Sequence, residues 1–157
     1  MSPSLNGYIK MEDCTFDTIH INDFGLDKKK RFANQRIIAC QESLKYLTTP
    51  YEEMTCNVLV RKAYQAAGID FGDLSASQYD RDYVGVLISE EQLKPGDLVF
   101  YEGIDGGNNH HVGLYLGKGY VIQATLDKGG EYPLGGVHIT KLNFRSSPTR
   151  YRSPFLD

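Results

Sequence analysis

Cys56 is the residue in this chain best placed to do chemistry, because it opens a predicted helix. The run C-N-V-L-V-R-K-A-Y-Q-A-A-G begins at this cysteine, directly after the turn-like T-P-Y-E-E-M-T. A thiol at a helix N-terminus faces the positive end of the macrodipole and a group of unbonded backbone N–H donors. Such a setting lowers the pKa of a cysteine and favours the nucleophilic thiolate. The position therefore indicates a candidate nucleophile.

A histidine in the second half of the chain could serve as the base for this thiol. The segment H-H-V-G-L-Y-L-G-K-G-Y-V-I-Q-A is typical of two strands joined by a glycine turn. Strand alternation places His111 and Gly113 on one face and His110 on the other, so only one histidine can face the cysteine helix. Gly113 is expected to leave room for that helix. Gln123, on the paired strand, could hold the imidazole in place.

The other chemically reactive residues have simpler interpretations. The chain has three cysteines, so they cannot all form internal disulfides. Cys40 lies in line with Ile37 and Leu44 at helical spacing, which indicates a buried apolar filler. Cys14 has no evident partner in a polar segment. Taken alone, His111 could also be a surface residue at the start of a strand, and the cysteine helix and Gln123 favour the catalytic interpretation.

The predicted elements are those of an α+β domain. Helical periodicity runs from about Lys30 to Tyr46 and from Cys56 to about Ala67, where Gly68 suits a helix C-terminus. Residues 69–95 have the pattern of a long connection. Four short segments rich in β-formers follow, at 97–101, 111–116, 120–124 and 137–142. We therefore predict helices packed on a four- to five-stranded antiparallel sheet.

Composition narrows the class of protein. The 157 residues suit one folded domain, which we expect over residues 29–157, after an irregular N-terminal arm at 1–28. A formal net charge of -3 argues against binding nucleic acid through phosphate contacts. No apolar run approaches the roughly 18 residues of a membrane span, so no membrane insertion is expected. The N-terminus also lacks the apolar core of a classical signal peptide, and we expect export by a specialised route.

The order of these motifs resembles that of the NlpC-type cell-wall cysteine peptidases. L-K-P-G-D-L-V-F-Y followed by H-V-G-L-Y-L-G-K-G-Y-V-I-Q-A is similar to the second half of that family. T-P-Y and the cysteine-led helix ending in A-A-G-I are similar to its first half. The resemblance implies a papain-like α+β fold, with the nucleophile helix packed on the sheet. It also implies hydrolysis of an amide bond in bacterial peptidoglycan stem peptides, without a metal or an organic cofactor.

The resemblance carries over to individual residues by motif position. Cys56 resembles the nucleophile, His111 the base, and Gln123 the polar third residue of the family. Tyr51 resembles a tyrosine that lines the substrate cleft. These four positions are the expected centre of the site.

Two positions depart from the family pattern. The family usually has an aspartate before the nucleophile and a serine after it, where this chain has Thr55 and Asn57. Thr55 could cap the helix through its hydroxyl, but it has no charge with which to meet a substrate amine. We therefore expect Thr55 and Asn57, together with Tyr51, to contact the substrate and to alter which stem peptides are accepted.

The resemblance also implies a biological setting, and it leaves alternatives open. The expected bond lies between D-glutamate and the diamino acid, and the expected place of action is the periplasm or cell wall. Three settings fit this activity: a secreted antibacterial toxin, which implies an immunity protein that plugs the cleft, a phage lysis enzyme, or a domain of a longer chain. The enzymatic alternative is a thiol acyltransferase or deamidase acting on a protein or lipid. The non-enzymatic alternative is a degenerate domain that only binds cell-wall peptide.

Overall fold

The computed structural model describes residues 30–81, 84–102, 110–125, 136–143 and 147–155, so the predicted arm at 1–28 lies outside the described residues. The helices are α1 (Ala33–Leu44), α2 (Cys56–Ala66) and α3 (Ala76–Arg81). The strands are β1 (Val86–Ile88), β2 (Leu98–Glu102), β3 (His110–Gly117), β4 (Tyr120–Thr125), β5 (Gly136–Lys141) and β6 (Arg150–Ser153). Among the described residues, no helix is long and apolar enough to cross a bilayer.

The strands form one antiparallel sheet in the order β1-β6-β2-β3-β4-β5. The predicted α+β class is confirmed, and β2 to β5 correspond to the four predicted strand segments. The sheet has six strands because β1 and β6 extend it. The first of these lies inside the stretch predicted as a connection, and β6 returns from the C-terminal part of the chain to pair between β1 and β2.

Helix α2 packs against β3 and β4, and also against α1. Its contact face is lined by small apolar residues, since Val60 and Ala63 are buried in the same core cluster as Leu114 and Ile122. Small side chains let a helix approach a sheet closely. The face of α2 that packs on the sheet is therefore small and apolar.

The C-terminus of α2 ends as the glycine at position 68 predicts. Gly68 has a φ of +87°. Its N–H donates to the Gln65 carbonyl, and the Ile69 N–H donates to the Tyr64 carbonyl. These two bonds form a Schellman motif, which requires the left-handed conformation that glycine adopts at no steric cost.

The predicted hairpin between β3 and β4 is also present. Gly117 pairs with Tyr120, so Lys118 and Gly119 form a two-residue loop, and both have positive φ angles. Two positive φ angles are the pattern of a type I′ turn, whose twist matches that of the strands it joins. The turn, together with the irregularity between Tyr115 and Gly117 that shifts the register by one residue, places His111 relative to Gln123.

A buried ion pair joins α1 to the sheet and to the C-terminal segment. Arg36 Nη1 lies 2.8 Å from Asp97 Oδ1, and both side chains are almost completely buried. The guanidinium also donates to the carbonyl of Pro95, the hydroxyl of Ser153 and the carbonyl of Phe155. The aspartate of the P-G-D motif therefore has a structural role, as the buried counter-ion of Arg36.

Replacing Arg36 with methionine should destabilise the domain by about 3–5 kcal/mol, because it leaves the Asp97 carboxylate buried without its counter-ion. Chemical unfolding monitored by circular dichroism would measure the change. The matched control is Lys45→Met, which removes a pair with Glu42 in which the lysine side chain is 67% exposed. That variant should change stability by no more than about 1 kcal/mol. Similar losses in the two variants would contradict the structural role assigned to Arg36.

Candidate active site

Cys56 is the first residue of α2, as the sequence predicts, and its thiol is not part of a disulfide. Only 7% of the residue is exposed. The preceding residue, Thr55, has the extended backbone of an N-cap position. Its side chain makes no capping hydrogen bond, which corrects the expectation that Thr55 caps the helix. The hydroxyl instead donates to Asn57 Oδ1 at 2.7 Å, so it leaves the N–H groups of the first turn to other partners.

Asn57 connects the start of α2 to the segment that leads into α3. Its Nδ2 donates to the Leu74 carbonyl at 2.9 Å, while its Oδ1 accepts from Thr55. The two residues that depart from the family pattern are thus bonded to each other. Asn57 also borders a cavity of about 300 Å³ along the outer side of α2, together with Val58, Arg61, Lys62, Gln65 and Asp73.

His111 and Gln123 form a buried pair on adjacent strands. His111 Nε2 lies 2.6 Å from Gln123 Oε1, and the exposed fractions of the two residues are 1% and 0%. The pairing of β3 with β4 brings them together, as the hairpin in the sequence predicts. The ring of Tyr101, on β2, lies against the imidazole with a centroid separation of 5.9 Å. The imidazole is therefore held between a hydrogen bond on one side and an aromatic ring on another.

The hydrogen bonds continue beyond Gln123 to a residue that was not predicted. Gln123 Nε2 donates to Thr140 Oγ1 at 2.6 Å, and the Thr140 hydroxyl donates to the Lys141 carbonyl at 3.0 Å. Thr140 is completely buried on β5. In the sequence it is one β-former among several in its strand, and no pattern distinguishes it from its neighbours.

The structure changes the expected reason for a glycine at position 113. Gly113 lies opposite Val99 and beside Val121 and Gln123, on the sheet face turned away from the core that contains α2. A Cβ there would lie 2.6 Å from the Val121 side chain and 3.4 Å from Gln123 Cβ. The glycine therefore makes room for side chains of β4, and not for the helix of Cys56. His111 lies two residues earlier on the same strand, with the ring of Tyr101 from the smaller cluster against it, so it shares this face. The expectation that His111 faces the cysteine helix across the core is therefore corrected as well.

The segment that carries Tyr51 is anchored to the sheet near His111. The Thr48 N–H donates to the Val137 carbonyl, and the Val137 N–H donates to the Thr49 carbonyl. A side chain at Gly136, whose φ is +101°, would collide with the Thr49 carbonyl, so this close approach requires glycine.

This anchor sets the direction from which the chain enters α2. Because the strands are antiparallel, β3 begins and β4 ends at the same end of the sheet as the start of β5. Tyr51 is half-buried and packs against the main core, within a turn closed by the Met54 N–H on the Pro50 carbonyl. The chain thus reaches Cys56 from the end of the sheet at which His111 lies.

The remaining predicted residues are placed as follows. Cys40 is completely buried, and burial raises the pKa of its thiol well above the usual range, which fits the predicted apolar filler. Cys14 and the side chain of His110 lie outside the described residues. Within the part of the chain that the structure describes, no cluster of His, Cys, Asp and Glu could hold a metal ion.

Comparison with characterised proteins finds relatives that match about half of this chain. A probable endopeptidase p60 of Listeria monocytogenes is 39% identical over 77 residues, which are 49% of this chain and 15% of that protein. A gamma-DL-glutamyl hydrolase of Bacillus subtilis is 34% identical over 83 residues, which are 52% of this chain and 19% of that protein. The chain therefore corresponds to less than a fifth of the length of either relative.

Solved structures and a family model cover more of the chain. The structure of the peptidoglycan hydrolase RipB from Mycobacterium tuberculosis matches 87% of this chain and 78% of its own, with a TM-score of 0.61 and 19% identity. That likeness confirms the predicted papain-like fold. The model of the NlpC/P60 family matches residues 44–142, which is more than half of the chain and includes Cys56, His111 and Gln123. The resemblance inferred from the motifs is confirmed, and the chain belongs to the NlpC/P60 family.

Proposed function

We propose that this domain is a cysteine hydrolase that cleaves an amide bond in bacterial peptidoglycan stem peptides. Cys56 is the nucleophile, His111 the general base and acid, and Gln123 the residue that orients the imidazole. The observation that carries the proposal is the buried hydrogen bond of 2.6 Å between His111 and Gln123, at the end of the sheet from which the chain enters α2. Membership of the NlpC/P60 family and the likeness to a peptidoglycan hydrolase support the class of substrate.

The reaction proceeds in two stages. His111 takes the proton of the Cys56 thiol, and the sulfur attacks the scissile carbonyl, whose π electrons move to oxygen. His111 then gives this proton to the leaving nitrogen as the C–N bond breaks, which leaves a thioester on Cys56. A water molecule attacks the thioester while His111 accepts its proton, the C–S bond breaks, and the thiol is restored.

The N-terminus of α2 supplies the stabilisation of the oxyanion. Backbone N–H groups at a helix start carry partial positive charge, and they stabilise the negative charge of a tetrahedral intermediate. The Cys56 N–H is the donor proposed here. The hydrogen bond of Thr55 to Asn57, in place of a cap, supports this role because the Thr55 hydroxyl does not compete for the first-turn donors.

The substrate proposal is a stem peptide that need not carry a free amine. Thr55 is neutral and donates its hydroxyl proton to Asn57, so it offers no carboxylate to bind an ammonium group. Stems still attached to the glycan should therefore be accepted. The proposed bond lies between D-glutamate and the diamino acid, and the name of the Bacillus subtilis relative, a gamma-DL-glutamyl hydrolase, supports that choice. Tyr51, Thr55 and Asn57 are the proposed contacts of the substrate.

The proposed setting is that of an exported antibacterial effector or a lysis enzyme acting on the cell wall. An effector of this kind implies an immunity protein that fits the cleft. Expression in the bacterial cytoplasm should then be tolerated, whereas the same chain with an added signal peptide should cause lysis that Cys56→Ala prevents. Equal toxicity in the two compartments would place the target in the cytoplasm and favour a transferase or deamidase.

The direct test is digestion of purified peptidoglycan followed by mass spectrometry of the released fragments. New N-termini at the diamino acid are the expected result, and the Cys56→Ala variant serves as the matched control. Intact sacculi and stem peptides freed from the glycan should be supplied in parallel. Cleavage of the freed stems alone would contradict the substrate proposed from Thr55.

Gln123→Ala should lower kcat by about 10- to 100-fold, the scale of one hydrogen bond to a group that becomes charged. Gln123 cannot accept a proton, so it orients the ring and does not take part in proton transfer. Its loss should therefore cost less than the loss of His111. Steady-state kinetics on a purified muropeptide would measure both variants. Near-complete inactivation by Gln123→Ala with an unchanged melting temperature would show that Gln123 does more than orient the imidazole.

A further inference from the structure

A chain of hydrogen bonds runs from His111 through Gln123 and Thr140 to the Lys141 carbonyl. The last acceptor in this chain determines which group donates in each of the earlier bonds. The Lys141 carbonyl can only accept, so the Thr140 hydroxyl must donate to it. A hydroxyl has a single proton, and Thr140 Oγ1 can therefore only accept from its other neighbour, the side-chain nitrogen of Gln123 at 2.6 Å.

This direction determines how the amide of Gln123 is turned. With its nitrogen toward Thr140, the amide presents Oε1 to His111 Nε2, 2.6 Å away. An amide oxygen cannot donate, so this bond forms only when His111 Nε2 carries a proton. In the neutral ring the lone pair then lies on Nδ1, and Nδ1 is the nitrogen that can accept a proton from the nucleophile.

We propose that Thr140 is a positioning residue of the active site, whose hydroxyl keeps the Gln123 amide in the orientation that selects the Nε2–H tautomer of His111. The inference rests on the proposed role of His111 as the base. A glutamine at the third position needs such a partner because the two ends of its amide have nearly the same shape. A flipped amide would offer an N–H donor to Nε2 and would stabilise the wrong tautomer. Gln123 and Thr140 are both completely buried, so bulk water cannot replace the hydroxyl.

The test is a pair of substitutions at Thr140. Thr140→Val removes the hydroxyl with little change of shape and should lower kcat by about three- to tenfold with KM unchanged, the scale of one neutral hydrogen bond. Thr140→Ser keeps the hydroxyl and should restore kcat. Thr140→Ala carries the same expectation as the valine variant, should valine impair folding. Thr125→Val is the matched control, since Thr125 is another buried threonine of the sheet whose hydroxyl faces His138 at 3.4 Å and has no part in this chain of bonds.

A second readout does not depend on turnover. Nitrogen-15 NMR of the His111 imidazole should report the Nε2–H tautomer in the native protein and in Thr140→Ser, and a mixture of tautomers in Thr140→Val. A merely structural loss of stability would leave the tautomer unchanged. An unchanged tautomer and an unchanged kcat in Thr140→Val would overturn the inference.

A double-mutant cycle tests whether Thr140 acts through Gln123. In a Gln123→Ala background, Thr140→Val should cause no further loss of kcat, because the group through which it acts is already absent. An equal loss in both backgrounds would show an independent role and would also overturn the inference.

If Cys56→Ala or His111→Ala kept full activity, the proposed function itself would fail. Inactive Cys56 and His111 variants beside a fully active Thr140→Val would refute the Thr140 inference alone.

Discussion

Cys56→Ala should abolish hydrolysis of peptidoglycan stem peptides, with a loss of about six orders of magnitude in kcat, the scale seen when a triad nucleophile is removed. The side chain of alanine cannot form the thioester, so neither stage of the reaction can proceed through it. The same substitution should remove labelling of the protein by iodoacetamide at near-neutral pH, because Cys56 is the cysteine placed at a helix N-terminus. Fragment release measured by chromatography and mass spectrometry, with intact-mass analysis of the alkylated protein, would measure the two effects together.

The other cysteines provide the controls for this prediction. Cys40→Ala should keep activity, because the Cys40 thiol is completely buried and burial raises its pKa, so it stays protonated and inaccessible to the reagent. Cys14→Ala should also keep activity, as expected from its position in a polar segment without a partner. Full turnover by Cys56→Ala would end the cysteine-hydrolase hypothesis, whatever the two control variants showed.

The features that sequence reasoning predicted correctly are those determined by neighbouring residues. The helix that begins at Cys56 and the left-handed glycine at position 68 follow from local periodicity and from helix-terminus chemistry. The two-residue loop of Lys118 and Gly119 follows from the preference for positive φ angles in tight hairpins. That hairpin also made the pairing of His111 with Gln123 predictable, since both residues lie on the strands it joins.

The features that were missed depend on residues far apart in the chain. Arg36 and Asp97 are separated by 61 positions, and nothing local indicates that each is the other's counter-ion. Strand β6 pairs with β1 and β2 through contacts that only the folded sheet creates. Thr140 was missed for the same reason. Its proposed role depends on the hydrogen bond from Gln123 on the neighbouring strand, and nothing in its own strand indicates that bond.

The cap of α2 shows how tertiary contacts can override a local rule. Thr55 has the residue type and the backbone conformation of an N-cap, and sequence reasoning expected its hydroxyl to bond to the first turn. The Thr55 hydroxyl is turned toward Asn57 Oδ1, to which it donates, and Asn57 is held in place by the Leu74 carbonyl, 17 positions further along the chain. The rule therefore correctly identified the start of the helix but not the hydrogen bond, because the orientation of the Thr55 side chain depends on a segment outside the helix.

His111→Ala should lower kcat by about 10²- to 10⁴-fold, because one imidazole serves as the base and the acid in both stages of the reaction. The KM should change much less, since the proposed substrate contacts are Tyr51, Thr55 and Asn57. Steady-state kinetics on a purified muropeptide would separate the two parameters. A melting temperature close to that of the native protein is required, because His111 is buried and its removal also takes away a partner of Gln123.

His110→Ala is the matched control, since it removes the adjacent histidine of the same strand. Because neighbouring side chains of a strand point to opposite faces, we expect His110 to have no part in the bond between His111 and Gln123. The His110 variant should therefore retain nearly full kcat. If His110 proved essential and His111 dispensable, the base would have to come from the other face of the strand. The Gln123 bond would then have no catalytic purpose, and the proposed site would have to be rebuilt on the opposite side of the sheet.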